Sequence, residues 1–539
     1  LDLYFVNLIG ANGLWRNRGD GSFEDWTERA GVGVPDRVSM AASFADVDDD
    51  GDPDLFVTTV RRGSLLFVND GKGRFREAAG GPGSELATHA STGTFLDYDN
   101  DGDLDLLLTN VGRFTDDEER PGGAFGGLPD AFQGHLHPDR AERHRLYRND
   151  GGGRWKEVSD AVGFVDDSWS GDASATDFDG DLDPDLYLTN MQGDDRYWEN
   201  RDGRFVERTA AHFPKTPWGT MGIKFFDYDR DGDLDLLLTD MHSDMSQEVG
   251  PTEEEEKSEM LWPDDQLQGG ANNVFGNAFY RNLGEGRFEE VSDALGLENY
   301  WPWGVSVADV NADGFEDALI TASMSYPFRY GINSLLLNNR AKAFVDAEFL
   351  LGIEPREEAK VPWFELDCGG EAGPDGRPRA GADRELPMCA GRDGRWTVYG
   401  NLGTRGAAIL DLDGDGDLDV VTNEFNSKPQ VLVSDLAQKG PIRWLKLRLV
   451  GTRSNRDGLG AWVRVTAGGV TQTRYHDGKS GYMAQSSLPL YFGLGEATAV
   501  ERIEVRWPSG AVQEVTEGLG TNRLIEIVEP AGEAPPPQT

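Results

Sequence analysis

Aspartate recurs at alternate positions in six short stretches of this chain, and that spacing suits one chemistry above others, the capture of a hard cation by oxygen atoms. The stretches begin at Asp46, Asp97, Asp177, Asp227, Asp309 and Asp411. The cleanest read Asp97-Tyr98-Asp99-Asn100-Asp101-Gly102-Asp103-Leu104-Asp105 and Asp227-Tyr228-Asp229-Arg230-Asp231-Gly232-Asp233-Leu234-Asp235. In a tight loop the side chains at positions 1, 3 and 5 converge, the carbonyl of position 7 can join them, and a carboxylate at position 9 closes the shell. The expected ligands are Asp46, Asp48, Asp50 and Asp54; Asp97, Asp99, Asp101 and Asp105; Asp177, Asp179, Asp181 and Asp185; Asp227, Asp229, Asp231 and Asp235; Asp309, Asn311, Asp313 and Asp317; and Asp411, Asp413, Asp415 and Asp419. Oxygen-only coordination by flexible ligands favours Ca²⁺ over Mg²⁺ and excludes soft-metal sites. One ion per loop gives about six.

Asp and Gly also build turns with no ion present. Gathering so many carboxylates without a cation is costly, however, because like charges at this spacing repel. Gly at position 6 permits a sharp turn as in an EF-hand, but no acid recurs at position 12, and strand-like runs flank the loops in place of helices. Two copies depart from the pattern: Leu182 stands where Gly is expected, and Asn311 replaces the acid at position 3.

Each loop runs straight into an apolar segment such as Leu106-Leu107-Leu108-Thr109-Asn110. The same ending occurs seven times, at 2–7, 54–59, 105–110, 185–190, 235–240, 317–322 and 419–424. Between loops a second signature recurs, mostly Asn-x-Gly-x-Gly-x-aromatic, at 17–23, 69–75, 149–155, 200–205, 282–288 and 339–344. Its glycines allow the positive φ of a turn between paired strands. The shortest repeat steps, from Asp46 to Asp97 and from Asp177 to Asp227, suit a four-stranded blade. The sequence therefore predicts an all-β fold, a seven-bladed β-propeller over 1–440 with insertions at about 111–145, 241–276 and 345–400. Strand-like runs from 441 to 529 predict a small β-sandwich-like domain, with a Pro-rich, extended tail at 530–539. The strands at 420–423 and 430–434 are expected to close the ring with 1–7.

The repeats resemble the FG-GAP/VCBS repeats of integrin α-chain heads and many bacterial surface proteins. The C-terminal part resembles the ASPIC/UnbV domain at Asn455, Gly458-Leu459-Gly460-Ala461, Gly481-Tyr482, Gln485-Ser486, Phe492-Gly493-Leu494-Gly495 and Trp507-Pro508-Ser509-Gly510. The combination is that of the cartilage acidic protein family and its bacterial relatives. It implies a secreted, calcium-binding protein of adhesion or matrix, without an established enzymatic activity, and it supplies no ligand. The glycine and tryptophan motifs can form a ligand surface or serve as turns and core, the latter being the plainer reading.

A net charge of −45, from 96 acidic against 51 basic residues, would repel nucleic acid and anionic lipid. The 38% hydrophobic content, with 14 Trp and 26 Phe, is that of a folded body. No apolar run is long enough for a membrane-spanning helix. Cys368 and Cys389 fall in one Gly/Pro/Arg-rich insertion and are expected to pair. The chain opens in what reads as the second half of a repeat, so an upstream piece with an export signal is expected.

Other candidates are weaker. His135, His137 and His144 are either a transition-metal site or solvent-exposed loop histidines, and no Cys partners or H-E-x-x-H helix supports the metal. Glu248, Glu253 to Glu256 and Glu259 read as a solvated acidic loop, or as a contact for a basic partner. Trp262 and Trp301-Pro302-Trp303 can line a glycan pocket or pack blades. No nucleophile elbow, phosphate loop or dinucleotide fingerprint is present. The expected function is a non-enzymatic extracellular adhesion or recognition module binding a protein or glycan. The alternatives are a self-associating subunit of a calcium-dependent assembly or filament, and a hydrolase using carboxylates on the propeller face.

Overall fold

The computed structural model describes residues 1–539 except 121–122, 242–275, 300, 324–330, 357–359, 371–380, 382, 426, 480, 487–488 and 533–539, and except the side chains of Phe132 and His135. Short apolar runs between Gly-rich turns fold as antiparallel meanders, and all seven expected exit strands form. Five meanders have four strands each: 38–77, 90–157, 173–207, 220–290 and 302–346. The first sheet has three, Leu3–Phe5, Gly13–Asn17 and Phe23–Asp25. The seventh also has three, Thr404–Leu410, Asp419–Glu424 and Gln430–Leu432.

The apolar core lies between the sheets. Seven clusters each draw on two consecutive sheets, for example Phe56 and Leu66 with Phe95 and Leu106, or Leu319 and Leu335 with Ile409 and Val420. Tyr4 and Leu14 of the first sheet pack against Leu55, Val57 and Phe67 of the second. Leu3 and Phe5 of the same sheet pack against Leu410, Leu412 and Val421 of the seventh. The first sheet therefore lies between the second and the seventh, which is the arrangement of a seven-bladed propeller. The two end sheets meet face to face without sharing a ladder.

The asparagine of the turn signature ties sheets together, a role its spacing did not reveal. Asn149 Nδ2 donates to Val47 O at 2.9 Å, Asn200 Nδ2 to Tyr98 O at 2.8 Å, Asn338 Nδ2 to Tyr228 O at 2.9 Å and Asn17 Nδ2 to Leu412 O at 2.8 Å. Each acceptor is the second residue of the neighbouring sheet's Asp loop. In the sixth sheet the tie falls on Asn338, one residue before the start of the signature as read from the sequence. Replacing buried Asn200 with Ala leaves the Tyr98 and Pro184 carbonyls short of a donor, so denaturant unfolding should show a loss of about 1–3 kcal/mol.

Short helices such as Thr27–Ala30, Ser159–Val162 and Ser292–Leu295 follow the outer strands, ending at Gly31, Gly163 and Gly296 in the left-handed conformation. This is a common C-terminal helix stop. They were not expected. The 345–400 insertion contains a hairpin of Lys360–Asp367 with Arg395–Asn401. Cys368 and Cys389 form a disulfide beside it, Cα to Cα 5.2 Å. The 111–145 insertion contains a hairpin, Thr115–Arg120 with Ala124–Gly127, and two 3₁₀ turns.

Beyond 440, two sheets enclose a separate core of Leu445, Val463, Phe492, Ile503 and Trp507. One sheet orders Leu490–Gly493, Trp444–Val450 and Arg523–Val528, the last two parallel; the other orders Val470–Tyr475, Trp462–Ala467, Val500–Arg506 and Val512–Val515. No helix among the described residues is long and apolar enough to cross a membrane.

Candidate metal centres

All six Asp loops connect the first strand of a sheet to the second, so they lie at one end of the sheets. Five bring three carboxylate oxygens within 4.8 Å of one another: Asp46, Asp48 and Asp50; Asp97, Asp99 and Asp101; Asp177, Asp179 and Asp181; Asp227, Asp229 and Asp235; Asp411, Asp413 and Asp419. The fifth loop, with Asp309, Asp313, Glu316 and Asp317 around Asn311, is not among these triads; Asn311 Oδ1 accepts Asp313 N at 2.9 Å. Asp231 and Asp415 stand outside the triads of their loops.

Position 1 is held by the turn itself. Asp97 accepts Asp101 N and Gly102 N at 3.1 Å each, and Asp46 accepts Gly51 N at 2.8 Å. Positive φ at Gly51, Gly102 and Gly232 makes the bend. Leu182 adopts the same hand at φ +82°, so the third loop keeps its turn at some cost in strain.

Position 9 serves as a strand anchor as well as a potential ligand. Asp105 accepts Tyr98 N at 3.2 Å and Asn149 N at 2.8 Å, thereby fastening loop to third strand. Asp54, Asp185, Asp235 and Asp317 accept the equivalent third-strand N–H, and Asp419 accepts Ser434 N just beyond its third strand. Position 9 lies outside the triads of the loops at 46, 97 and 177, whereas Asp235 and Asp419 are anchored in the same way and also join their triads.

Burial, reinforced by neighbouring carboxylates, raises these acids. Asp97 and Asp227 are pushed up to about 7, Asp185 to about 8, and Asp105 and Asp235 to about 9. Asp46 and Asp419 rise to about 6. Buried Asp227 has neither carboxylate oxygen in a hydrogen bond, and Asp99 Oδ1 is likewise unpartnered. Buried acids that lack donors and crowd one another fit a cation that would satisfy them.

Among the described residues, His137 and His144 belong to no metal-binding group. His144 is fully buried, its Nδ1 accepting Asn110 N at 3.0 Å and its Nε2 near Ser168 Oγ at 3.1 Å. Burial lowers its pKa. It is thus neither a ligand nor a solvent-exposed loop histidine. His137 sits 2.9 Å from Asp130, and the His135 side chain is outside the described residues. Trp301 and Trp303 are buried, with Trp303 packed against Met221, Met241 and Tyr482. Trp262 and the glutamates at 248, 253–256 and 259 lie outside the described residues.

Sequence reasoning missed that the C-terminal domain sits on the Asp-loop end and sends residues 477–479 and 481–485 down among the inner strands. Lys224 pairs with Asp477 at 2.6 Å, Lys479 bonds Asp172 and Ala173 O, and Gln485 Nε2 donates to Phe44 O at 2.8 Å. A Cβ on Gly481 would collide with Val305 O, so only glycine passes there. Tyr482 is buried, and Arg405 stacks 3.5 Å over the Trp303 ring beside it. Leu459 of the Gly-Leu-Gly motif packs between the second and third sheets, and Trp507 fills the domain core. Both motifs are thus packing elements.

Ring, loops and capping domain define the class. The chain carries FG-GAP-like repeats, matched at 1–57, 46–108, 177–238 and 265–320, and a C-terminal ASPIC and UnbV domain, matched at 451–534. Among curated proteins it is similar to cartilage acidic protein 1. The Xenopus tropicalis protein is 27% identical over 296 residues, covering 47% of this chain and 41% of that protein. The Homo sapiens protein is 32% identical over 113 residues, covering 20% and 17%. The matches thus span less than half of these relatives. Solved structures include the exotype rhamnogalacturonan lyase YesX (11% identity, 80% of this chain and 76% of that one, TM-score 0.32) and the V. cholerae biofilm matrix protein Bap1 (11%, 91% and 82%, TM-score 0.22). Scores this low carry no argument.

Proposed function

We propose that this protein is an extracellular, calcium-loaded recognition module without catalytic activity, in which cations rigidify one end of the ring and the opposite end and insertions face a protein or glycan partner. The observation that carries the reading is the convergence of three carboxylate oxygens in each of five loops. Flexible oxygen-only ligation suits Ca²⁺ better than the strict octahedron of Mg²⁺. Extracellular calcium modules bind with Kd of order 10⁻⁴–10⁻³ M, so they fill outside cells and stay empty inside. The Cys368–Cys389 disulfide agrees with an oxidising compartment.

Metal analysis with calcium titration tests the reading. About six calcium ions per chain are expected, with Kd of order 10⁻⁴–10⁻³ M and no comparable uptake of Mg²⁺. Protein that holds no calcium at millimolar concentration would sink it.

A second reading, self-association, is favoured by one patch. Phe349, Leu350 and Leu351 are 58%, 83% and 51% exposed on one short helix, an apolar surface of the kind that marks contacts. Replacing Leu350 with Asp should leave folding intact, because the side chain is solvated. On this reading it should also abolish any concentration-dependent sedimentation of the wild type.

A further inference from the structure

Each of the six loops meets the C-terminal domain. We infer that the C-terminal domain is the second half of the cation-binding apparatus, positioning the first-position aspartates so that cation binding and domain docking form one linked equilibrium. This rests on the calcium reading above and extends it to residues far away in sequence.

The contacts fall on positions 1, 6 and 8 of the loops. Trp462 Nε1 donates to Asp177 Oδ2 at 2.8 Å, while Asp177 Oδ1 accepts Gly180 N at 2.9 Å. Lys446 Nζ pairs with Asp411 Oδ2, while Asp411 Oδ1 accepts Gly414 N at 2.7 Å. Asp46 N donates to Asp457 Oδ2 at 2.9 Å. Arg474 pairs with Glu316, inside the fifth loop, at 3.0 Å. A Cβ placed on the position-6 glycines would meet the domain in five loops: Arg456 at 3.9 Å from Gly51, Arg453 O at 2.9 Å from Gly102, Thr473 at 3.8 Å from Gly232, Gln472 at 3.1 Å from Gly314, and Trp444 against Gly416. Thus all six loops are touched, and in two of them the side chain from above takes an outer oxygen of position 1.

Charge supports the pairing. Residues 441–529 carry eleven Lys and Arg against nine Asp and Glu, in a chain with 51 against 96. The nearly balanced domain covers the acidic end. Covering also has a consequence for energy. Position-1 acids are 1–8% exposed, and buried carboxylates need a positive partner or a proton. Lys446 supplies one such charge and Arg474 lies near others, but most loops receive none from the domain. Docking therefore favours cation uptake, and by reciprocity cation uptake favours docking.

The test is hydrogen exchange on the full chain as free calcium is titrated down, with calcium affinity measured on a variant. Amides of Tyr482 to Gln485 should exchange at least about tenfold faster at calcium levels where Asp105–Asn110 stays protected. If they stay slow, or open only together with that strand, the linkage is wrong. Gly493→Ala points a methyl group at Asp309 and Ala312, so the domain cannot seat. Its calcium affinity should fall about tenfold. If exchange shows Gly493→Ala still seated, Tyr482→Asp is used, which charges the Met221, Met241 and Trp303 cluster. A loosened domain with unchanged affinity overturns the inference and leaves the calcium reading standing. A wild type that binds no calcium overturns the calcium reading itself.

Discussion

Stripped of calcium at about pH 8, the protein is expected to melt well below its calcium-loaded form, and acidifying the stripped sample to about pH 5 is expected to recover much of the loss. The cause lies in the loop acids. Burial first, and neighbouring carboxylates second, raise Asp46 and Asp419 to about 6, Asp97, Asp54 and Asp227 to about 7, and Asp105 and Asp235 to about 9, from an ordinary 3.8. For a group whose folded pKa is raised, the folded state binds more protons than the unfolded one. Its stabilising contribution is complete below the unfolded value and disappears as pH climbs through the folded value. The cation-free protein should therefore lose stability steadily between about pH 4 and pH 9. Calcium replaces those protons, so the loaded protein should show little of this slope, and calcium binding at about pH 7 should release protons into a weakly buffered solution. Scanning calorimetry across this range, with calcium and with chelator, reads both. A stripped protein that is more stable at about pH 8 than at about pH 5 would contradict the assignment of these carboxylates as a crowded, buried cation site.

Much of this was legible in the residues because the repeat is written in short-range chemistry. Alternate Asp, a Gly at position 6 and an apolar run immediately after fix a turn and a strand within a dozen residues, so the loops and exit strands appeared where spacing placed them. What the spacing could not supply was distance. Asp105 was expected only as a ligand, and its role as anchor for Asn149 depends on a partner 44 residues away. The Asn200 tie to Tyr98 crosses two sheets. His144 reads as a loop histidine by its neighbours, yet it is sealed against Asp166 and Asn110. Hardest to foresee was the capping domain. Gly481 and Tyr482 look like an ordinary turn motif, and only contacts distant in sequence explain them: Val305 O leaves no room for a Cβ at 481, and Tyr482 packs with Met221, Met241 and Trp303. The helix-stop glycines, by contrast, carried a readable signal: Gly31, Gly163, Gly296 and Gly352 each follow a short Ala-, Val- or Leu-ending run.

The double role of position 9 leads to the second large effect, in which two substitutions in one loop separate with opposite signs. Asp105→Ala removes the acceptor of two buried backbone N–H groups, Tyr98 N and Asn149 N. Each orphaned donor costs about 1–3 kcal/mol, so the variant should lose about 2–6 kcal/mol with chelator present as well as with calcium. Asp99→Asn sits at position 3 of the same loop, where Oδ1 has no hydrogen-bond partner and Asp101 raises its pKa after burial does. Removing one negative charge there relieves repulsion when no cation is bound and weakens the site when one is. Chelated Asp99→Asn should match or exceed wild-type stability, while its calcium-dependent gain should shrink. Urea unfolding of both variants in the two conditions decides the matter. An Asp105→Ala protein as stable as wild type in chelator would remove the anchor role, and an Asp99→Asn protein with the full calcium gain would remove position 3 from the ligand set. The contrast also separates the carboxylates that hold strands together from those freed to hold an ion, because only the first kind matters when calcium is absent.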